Sequence, residues 1–310
     1  MADLYRIFNE EGLAGLLPYA IKDTSHGYHI LVDKIKAGHA LSFICTHMEV
    51  PFLVVKNNTY QALFFTSEEK AEAEAADLRA QGYKPTIEDL PDGKSREEAL
   101  CWLFDHGPTH ILLDNSVSIP IGDLTTEIPE YDGQPTSEHM LRNRAMNGAT
   151  FYYLQQAAAG YGNMEAEQSW AKALYKGKFL AACINDKSQN YPALAIEIKE
   201  KTGYLVYSDW RQVILDQQDQ PSACMILDFS ELQELVAQDP NNVIVFNHAT
   251  CNLRLDDAML KMIEQAATKE KPLTPTGKSI WPTKHGASYT LGQVPEDSWD
   301  KIDPTPDFLK

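Results

Sequence analysis

Two stretches decide the reading of this chain: Gly38-His39-Ala40-Leu41-Ser42-Phe43-Ile44-Cys45 and Gly177-Lys178-Phe179-Leu180-Ala181-Ala182-Cys183. Each is a glycine, then an apolar run of strand length, then a cysteine, and each follows a helix-like stretch. The match continues in order. Pro51-Phe52-Leu53-Val54 stands beside Pro192-Ala193-Leu194-Ala195, and Tyr60-Gln61-Ala62-Leu63-Phe64-Phe65-Thr66-Ser67 beside Gly203-Tyr204-Leu205-Val206-Tyr207-Ser208-Asp209. Last, Thr109-His110-Ile111-Leu112-Leu113-Asp114-Asn115 matches Asn242-Val243-Ile244-Val245-Phe246-Asn247. The offset drifts from about 139 residues at the first landmark to about 132 at the last, as small loop insertions and deletions produce. Four ordered landmarks make the chain an internal duplication.

Within each copy the pattern is three short strands, a helix, a strand, a helix and a last strand. Hydroxyl residues three before a carboxylate or amide mark helix starts at Thr66, Ser95 and Ser230. Gly82 and Asp239-Pro240 mark stops. This order predicts an α+β fold, two tandem copies of a mixed-sheet module with helices packed on it. The expected division is an N-terminal arm at 1–30, module 1 at 31–127, a linker and helix at 128–168, module 2 at 169–265 and a Pro-rich extended tail at 266–310. In the arm, a short helix through Leu4, Ile7, Phe8 and Leu13 is expected to give way to a Gly- and Pro-marked loop. In the linker, turn-rich Ile128 to Pro135 leads into a helix from Ser137 to about Ala159.

The composition narrows the function classes. Of 310 residues, 44% are hydrophobic and 23% charged, enough for packed cores and against general disorder. A formal charge of -17 repels phosphate backbones and anionic lipid, so neither nucleic acid nor a membrane is expected as a partner. No apolar run approaches the ~18 residues of a membrane span, and the first residues lack a signal-type core. The five cysteines form no C-x-x-C pair and sit mostly in apolar runs, which fits reduced thiols in a cytoplasm.

The second copy is where a family likeness enters. Tyr191-Pro192-Ala193-Leu194, Tyr204-Leu205-Val206-Tyr207-Ser208-Asp209-Trp210 and Asn252-Leu253-Arg254-Leu255 resemble the N-terminal domain of the SseB, or enhanced serine sensitivity, family. Ala62 to Ser67 and Ile111 to Asn115 make the first copy resemble a diverged member. The resemblance covers both repeats and none of the tail. It implies a fold and a family named from a serine-sensitivity phenotype, and carries no enzyme chemistry onto these residues. Where other members carry Asn-Pro-x-Gly after the last strand, this chain has Asn247-His248-Ala249-Thr250 and Asn115-Ser116-Val117-Ser118.

Motifs for chemistry are sparse. Gly277-Lys278-Ser279 lacks the first glycine and the preceding strand of a P-loop. His26-x-x-His29 and His248-x-x-Cys251 are lone pairs without the second pair of a zinc set, so neither a metal nor a cofactor is expected. Tyr207-Ser208-Asp209-Trp210-Arg211 gathers two aromatics, a carboxylate and a guanidinium at a helix start, where free N–H groups attract anions. With Asn247, Asn252 and Arg254 of the following loop, these residues form the candidate binding site. Ser208 and Asp209 also read as helix caps, Trp210 as a seal on the sheet edge, and Asn115 and Asn247 as turn-formers. The resulting expectation is a non-catalytic, cytoplasmic, bacterial-type protein that binds a protein or small molecule. The rival is a cysteine-dependent hydrolase or transferase using Cys183 or Cys251 as nucleophile.

Overall fold

The computed structural model describes residues 4–22, 26–125, 141–184, 193–198, 201–217 and 223–268. The chain divides into two compact units, Met1–Glu130 and Tyr131–Lys310.

In the first unit, helices α1 (Leu4–Lys22) and α2 (His26–Lys36) precede strands β1 (Ser42–Cys45), β2 (Leu53–Lys56) and β3 (Thr59–Phe65). Then come α3 (Glu68–Ala80), β4 (Thr86–Asp89), α4 (Lys94–Asp105), β5 (His110–Leu113), β6 (Val117–Pro120) and the short α5 (Ile121–Leu124). The second unit repeats this plan. Helices α6 (Arg144–Ala158) and α7 (Met164–Lys176) precede β7 (Lys178–Cys183), β8 (Ala195–Ile198) and β9 (Lys201–Tyr207). There follow α8 (Trp210–Gln217), β10 (Ala223–Asp228), α9 (Phe229–Ala237), β11 (Asn242–Phe246), β12 (Leu253–Leu255) and α10 (Asp257–Thr268).

The two sheets have one topology. The first runs β4-β1-β3-β5-β6 with β2 on β3; the second runs β10-β7-β9-β11-β12 with β8 on β9. In each, the third and fifth strands in sequence order pair in parallel, and every other pairing is antiparallel. The strands ending at Cys45 and Cys183 hold the same sheet position, and both cysteines bridge to the next landmark, at Pro51 and Ala193. The duplicated mixed-sheet, α+β architecture read from the sequence is the architecture of the protein.

The repeat is longer than its landmarks. Arm and linker helix both fold into the modules: α1 packs on α2, and α6 on α7, ahead of each sheet. The expected Gly- and Pro-marked loop after Leu13 is instead helix. The backbone breaks only at Gly12, whose φ of 64° a glycine adopts without strain, and Leu16, Leu17 and Ala20 beyond it are buried. Burying that apolar stripe outweighs the poor helix propensity of Gly15 and Pro18. Each sheet also gains a last antiparallel strand, β6 or β12. In module 1 the turn before it is Asp114-Asn115, both at positive φ, with Ser116 N–H closing on Leu113 O at 3.0 Å, a primed hairpin turn.

Helix starts sit close to their signals but use other caps. Ser67, not Thr66, caps α3 through the Lys70 N–H. Asp228 caps α9 in a reciprocal box with Glu231, two residues before the expected Ser230, and α4 starts behind Gly93 with no side-chain cap. The sheet of module 1 is buried on both faces. Phe43, Phe64, Ile111 and Leu113 meet α1, α2, α4 and α5, while Ile44, Leu63, Phe65 and Leu112 meet Ala71, Ala75 and Leu78 of α3. In module 2, Leu180, Ala182, Leu205, Tyr207 and Val245 pack with Val213 of the shorter α8. The expected extended tail meets the described residues only at 266–268, which end α10; the rest of it, and the linker turns at 128–135, lie outside them.

Candidate functional site

In module 2 the parallel strands β9 and β11 end side by side, and α8 starts where β9 stops. Ends of parallel strands next to a helix start are where α/β folds place ligands. Asn247, directly after β11, sits at φ 48°. Its Oδ1 accepts the Ser208 N–H at 2.9 Å, and its Nδ2 donates to Ser208 Oγ at 3.0 Å. Asp209 Oδ1 accepts the Gln212 N–H at 3.1 Å, capping α8. Its other oxygen accepts from Ser208 Oγ at 2.8 Å and from Asn147 Nδ2 of α6 at 2.7 Å. Asn143 adds donations to the carbonyls of Ser208 at 2.7 Å and Lys178 at 2.5 Å. Asn143, Asn147, Ser208, Asp209, Gln212 and Asn247 are all buried. Buried polar groups in this number are costly unless they bond one another, and these bonds tie α6, β9, α8 and β11 together.

Module 1 holds the same joint in a charged version. Thr66 N–H and Oγ1 donate to the two oxygens of Asp114 at 2.9 and 2.7 Å, and Lys70 Nζ reaches Asp114 at 2.5 Å. Asp114 N–H donates to Phe64 O as Asn247 N–H does to Val206 O, and Asp114 sits at φ 46°. The counterpart of Asn247 is therefore Asp114, one residue before the Asn115 that the sequence match pairs with it. Asn115 is the second residue of the hairpin turn and donates to Glu74. Counting from the caps Ser67 and Asp209, Lys70 corresponds to Gln212. A salt-bridged carboxylate in one module is a neutral amide in the other.

Behind the joint, Tyr207 is fully buried and donates its hydroxyl to Asp216 Oδ2, while His248 Nδ1 meets Asp216 Oδ1 at 2.7 Å. Burial, then the charge and hydrogen bond of Asp216, pushes the Tyr207 phenol well above its ordinary range. Thr250 Oγ1 donates to Gln212 Oε1 at 2.7 Å, so the loop after β11 lies along α8.

The expected surface cluster is thus split. Tyr207, Asp209 and Asn247 are interior, because a tyrosine on the inner face of β9 and the caps of a buried helix start have their partners inside. Trp210, Arg211 and Asn252 are half-buried, with Trp210 packed on the sheet core, and Arg254 is exposed on β12. The sequence reading missed Asn143, Asn147, Gln212 and Asp216. A signal existed for two of them: Asn143, the residue before α6, and Asn147 in its first turn lie four apart, on one face.

Neither proposed nucleophile has the surroundings of an active thiolate. Burial pushes the Cys251 thiol up to about 12, and its Sγ donates toward Phe246 O at 3.5 Å. Cys183 is also raised by burial and donates toward Ala181 O at 3.3 Å. Among the described residues no three His, Cys, Asp or Glu side chains gather in a way that could hold a metal ion, and no helix is long and apolar enough to cross a membrane.

The two modules differ most on their outsides. Ile214 and Leu215 of α8 are 54% and 45% exposed, at the positions where α3 turns Glu72 and Ala73 to solvent. On the outermost strand, Ile226 of β10 is 36% exposed; it lies opposite Leu180 where module 1 pairs Asp89 with Ser42.

No family model matches the chain. No curated protein matches it either. Among solved structures, Tic22 from Plasmodium falciparum is similar over 65% of this chain and 84% of its own, at 12% identity and a TM-score of 0.18. A superposition that loose transfers nothing from that protein to this one.

Proposed function

We propose that this chain is a non-catalytic binding or protein-interaction protein, two SseB-like modules of the cytoplasmic, bacterial type, and that module 2 holds the partner. One observation carries the reading. On a shared fold, module 2 presents Ile214 and Leu215 to solvent at the helix positions where module 1 presents Glu72 and Ala73. Adjacent exposed large apolar side chains, at positions a sister module keeps small or charged, fit a contact surface. Trp210, Arg211 and Arg254 supply the aromatic and guanidinium groups that dominate contact energetics. Tyr207, Asp209 and Asn247 act from inside, fixing the start of α8 and the loop from Asn247 to Asn252 against it. The buried, protonated thiols of Cys183 and Cys251 support binding over the rival cysteine chemistry.

The test places a photo-crosslinking amino acid at Leu215 in cells, with Ala73 as the matched control. Adducts of one partner protein at position 215 and none at 73 are expected, lost again when Ile214→Glu copies module 1. Equal labelling at both positions, or none, would refute the reading.

A further inference from the structure

The outermost strand of module 2 invites a different question from α8. Edge strands expose backbone groups that can pair with another strand, and proteins blunt such edges with charge and short length. Module 1 does so. Its edge β4 is four residues, Thr86-Ile87-Glu88-Asp89, with both carboxylates exposed. The equivalent β10 is six residues, and Ala223-Cys224-Met225-Ile226-Leu227 carries no charge at all. None of the five is buried, whereas the neighbouring β7 is buried from Phe179 to Cys183.

We infer that β10 is a homodimerisation edge, pairing antiparallel with β10 of a second copy of this chain. The choice of occupant follows from charge and symmetry. A two-fold axis relating antiparallel neighbours stands perpendicular to the sheet, so a residue faces either itself or one an even number of positions away. With Met225 on the axis, Met225 meets Met225, Cys224 meets Ile226 and Ala223 meets Leu227, five uncharged positions on each side. Asp228 falls outside this seam, where Lys178 of its own sheet already faces it at 3.6 Å. Centring on Ile226 would set Asp228 against Cys224. Pairing β4 with itself would set Glu88 against Glu88 when centred there, and centred on Ile87 would still leave Glu88 and Asp89 of both copies along the seam. β10 is therefore self-complementary and β4 self-repelling.

The dimer is weak and strengthened by salt. Six residues of strand span about 20 Å, so a single ladder of that length buries less than the roughly 800 Å² per partner of a stable interface. Each copy also brings a formal charge of -17, whose mutual repulsion salt screens.

Sedimentation of the full chain into the high micromolar range, at low and high salt, tests this. A monomer–dimer equilibrium that shifts toward dimer with salt is expected. Met225→Glu, which copies Glu88 of module 1, should abolish the dimer with an unchanged circular dichroism spectrum. Met225→Cys should form an interchain disulfide on mild oxidation, well ahead of Leu227→Cys, which faces Ala223, and of the unmodified chain. A monomer at all concentrations and salts overturns the inference, as does a dimer that survives Met225→Glu. So does a chain that stays monomeric while its Met225→Cys thiol crosslinks only to foreign proteins. Because this edge and the outer face of α8 are probed by different variants, failure of one reading is distinguishable from failure of the other.

Discussion

Replacing Asn247 tests whether the buried joint holds module 2 together. Asn247→Ala removes the acceptor of the Ser208 N–H at a site with no exposure, which costs about 1–3 kcal/mol for an orphaned buried donor. It also puts alanine at φ 48°, a left-handed conformation costing about 1–2 kcal/mol for a side chain without its own local hydrogen bond. The sum is about 3 kcal/mol, or roughly 10 °C at the 3–4 °C per kcal/mol of a module this size. Asn247→Gly separates the two parts, since glycine accepts the backbone angle freely but still orphans the donor. It should therefore recover about 1 kcal/mol relative to alanine. Thermal and urea unfolding of the full chain, followed by near-UV circular dichroism, reads both variants, with Asp114→Ala as the companion in module 1. An alanine variant that melts within a degree of the unmodified protein would refute the argument. So would a glycine variant less stable than the alanine one, because strain and lost bonding could not then be the two costs.

Asp209→Ala removes the cap of α8 and the acceptor of Asn147 and Ser208 together, and should destabilise module 2 by about 3 kcal/mol in urea unfolding. Asn247→Asp is expected to destabilise by putting a second carboxylate beside Asp209, and adding Gln212→Lys should recover part of that loss, since Lys70 does this for Asp114; strictly additive effects in a double-mutant cycle would count against it. Tyr207→Phe leaves Asp216 one donor short and should lower stability by about 1–2 kcal/mol with the fold intact, by the same unfolding measurement. Burial raises the thiols of Cys45, Cys224 and Cys251 from 9.0 to about 12. The folded state thus keeps protons that the unfolded chain releases first. The stability these groups support is complete below pH 9 and lost as pH rises toward 12, and Cys251→Ala should flatten that slope in pH-dependent unfolding.

The sequence by itself determined the duplication, the α+β class and the order of strands, because apolar runs of strand length, set between capped helices, leave few other arrangements. Gly82 at a helix end and Asn115 in a turn were legible for the same local reason: each performs its role through its own backbone. Tertiary structure decided the rest. The short strands β6 and β12 needed a neighbouring edge to complete their ladders, and α1 stays helical past Gly12 only because its stripe is buried. The residue before the turn, Asp114, rather than Asn115, proved equivalent to Asn247, since the match is set by which side chain reaches the end of the parallel neighbour. The same cause moved Tyr207, Asp209 and Asn247 from an imagined surface to the interior, joined there by Asn143 and Asn147 from a helix more than fifty residues earlier in the chain. Local sequence encodes caps, turns and periodicity, while which polar groups meet depends on strands and helices brought together across the chain, and no short window contains that pairing.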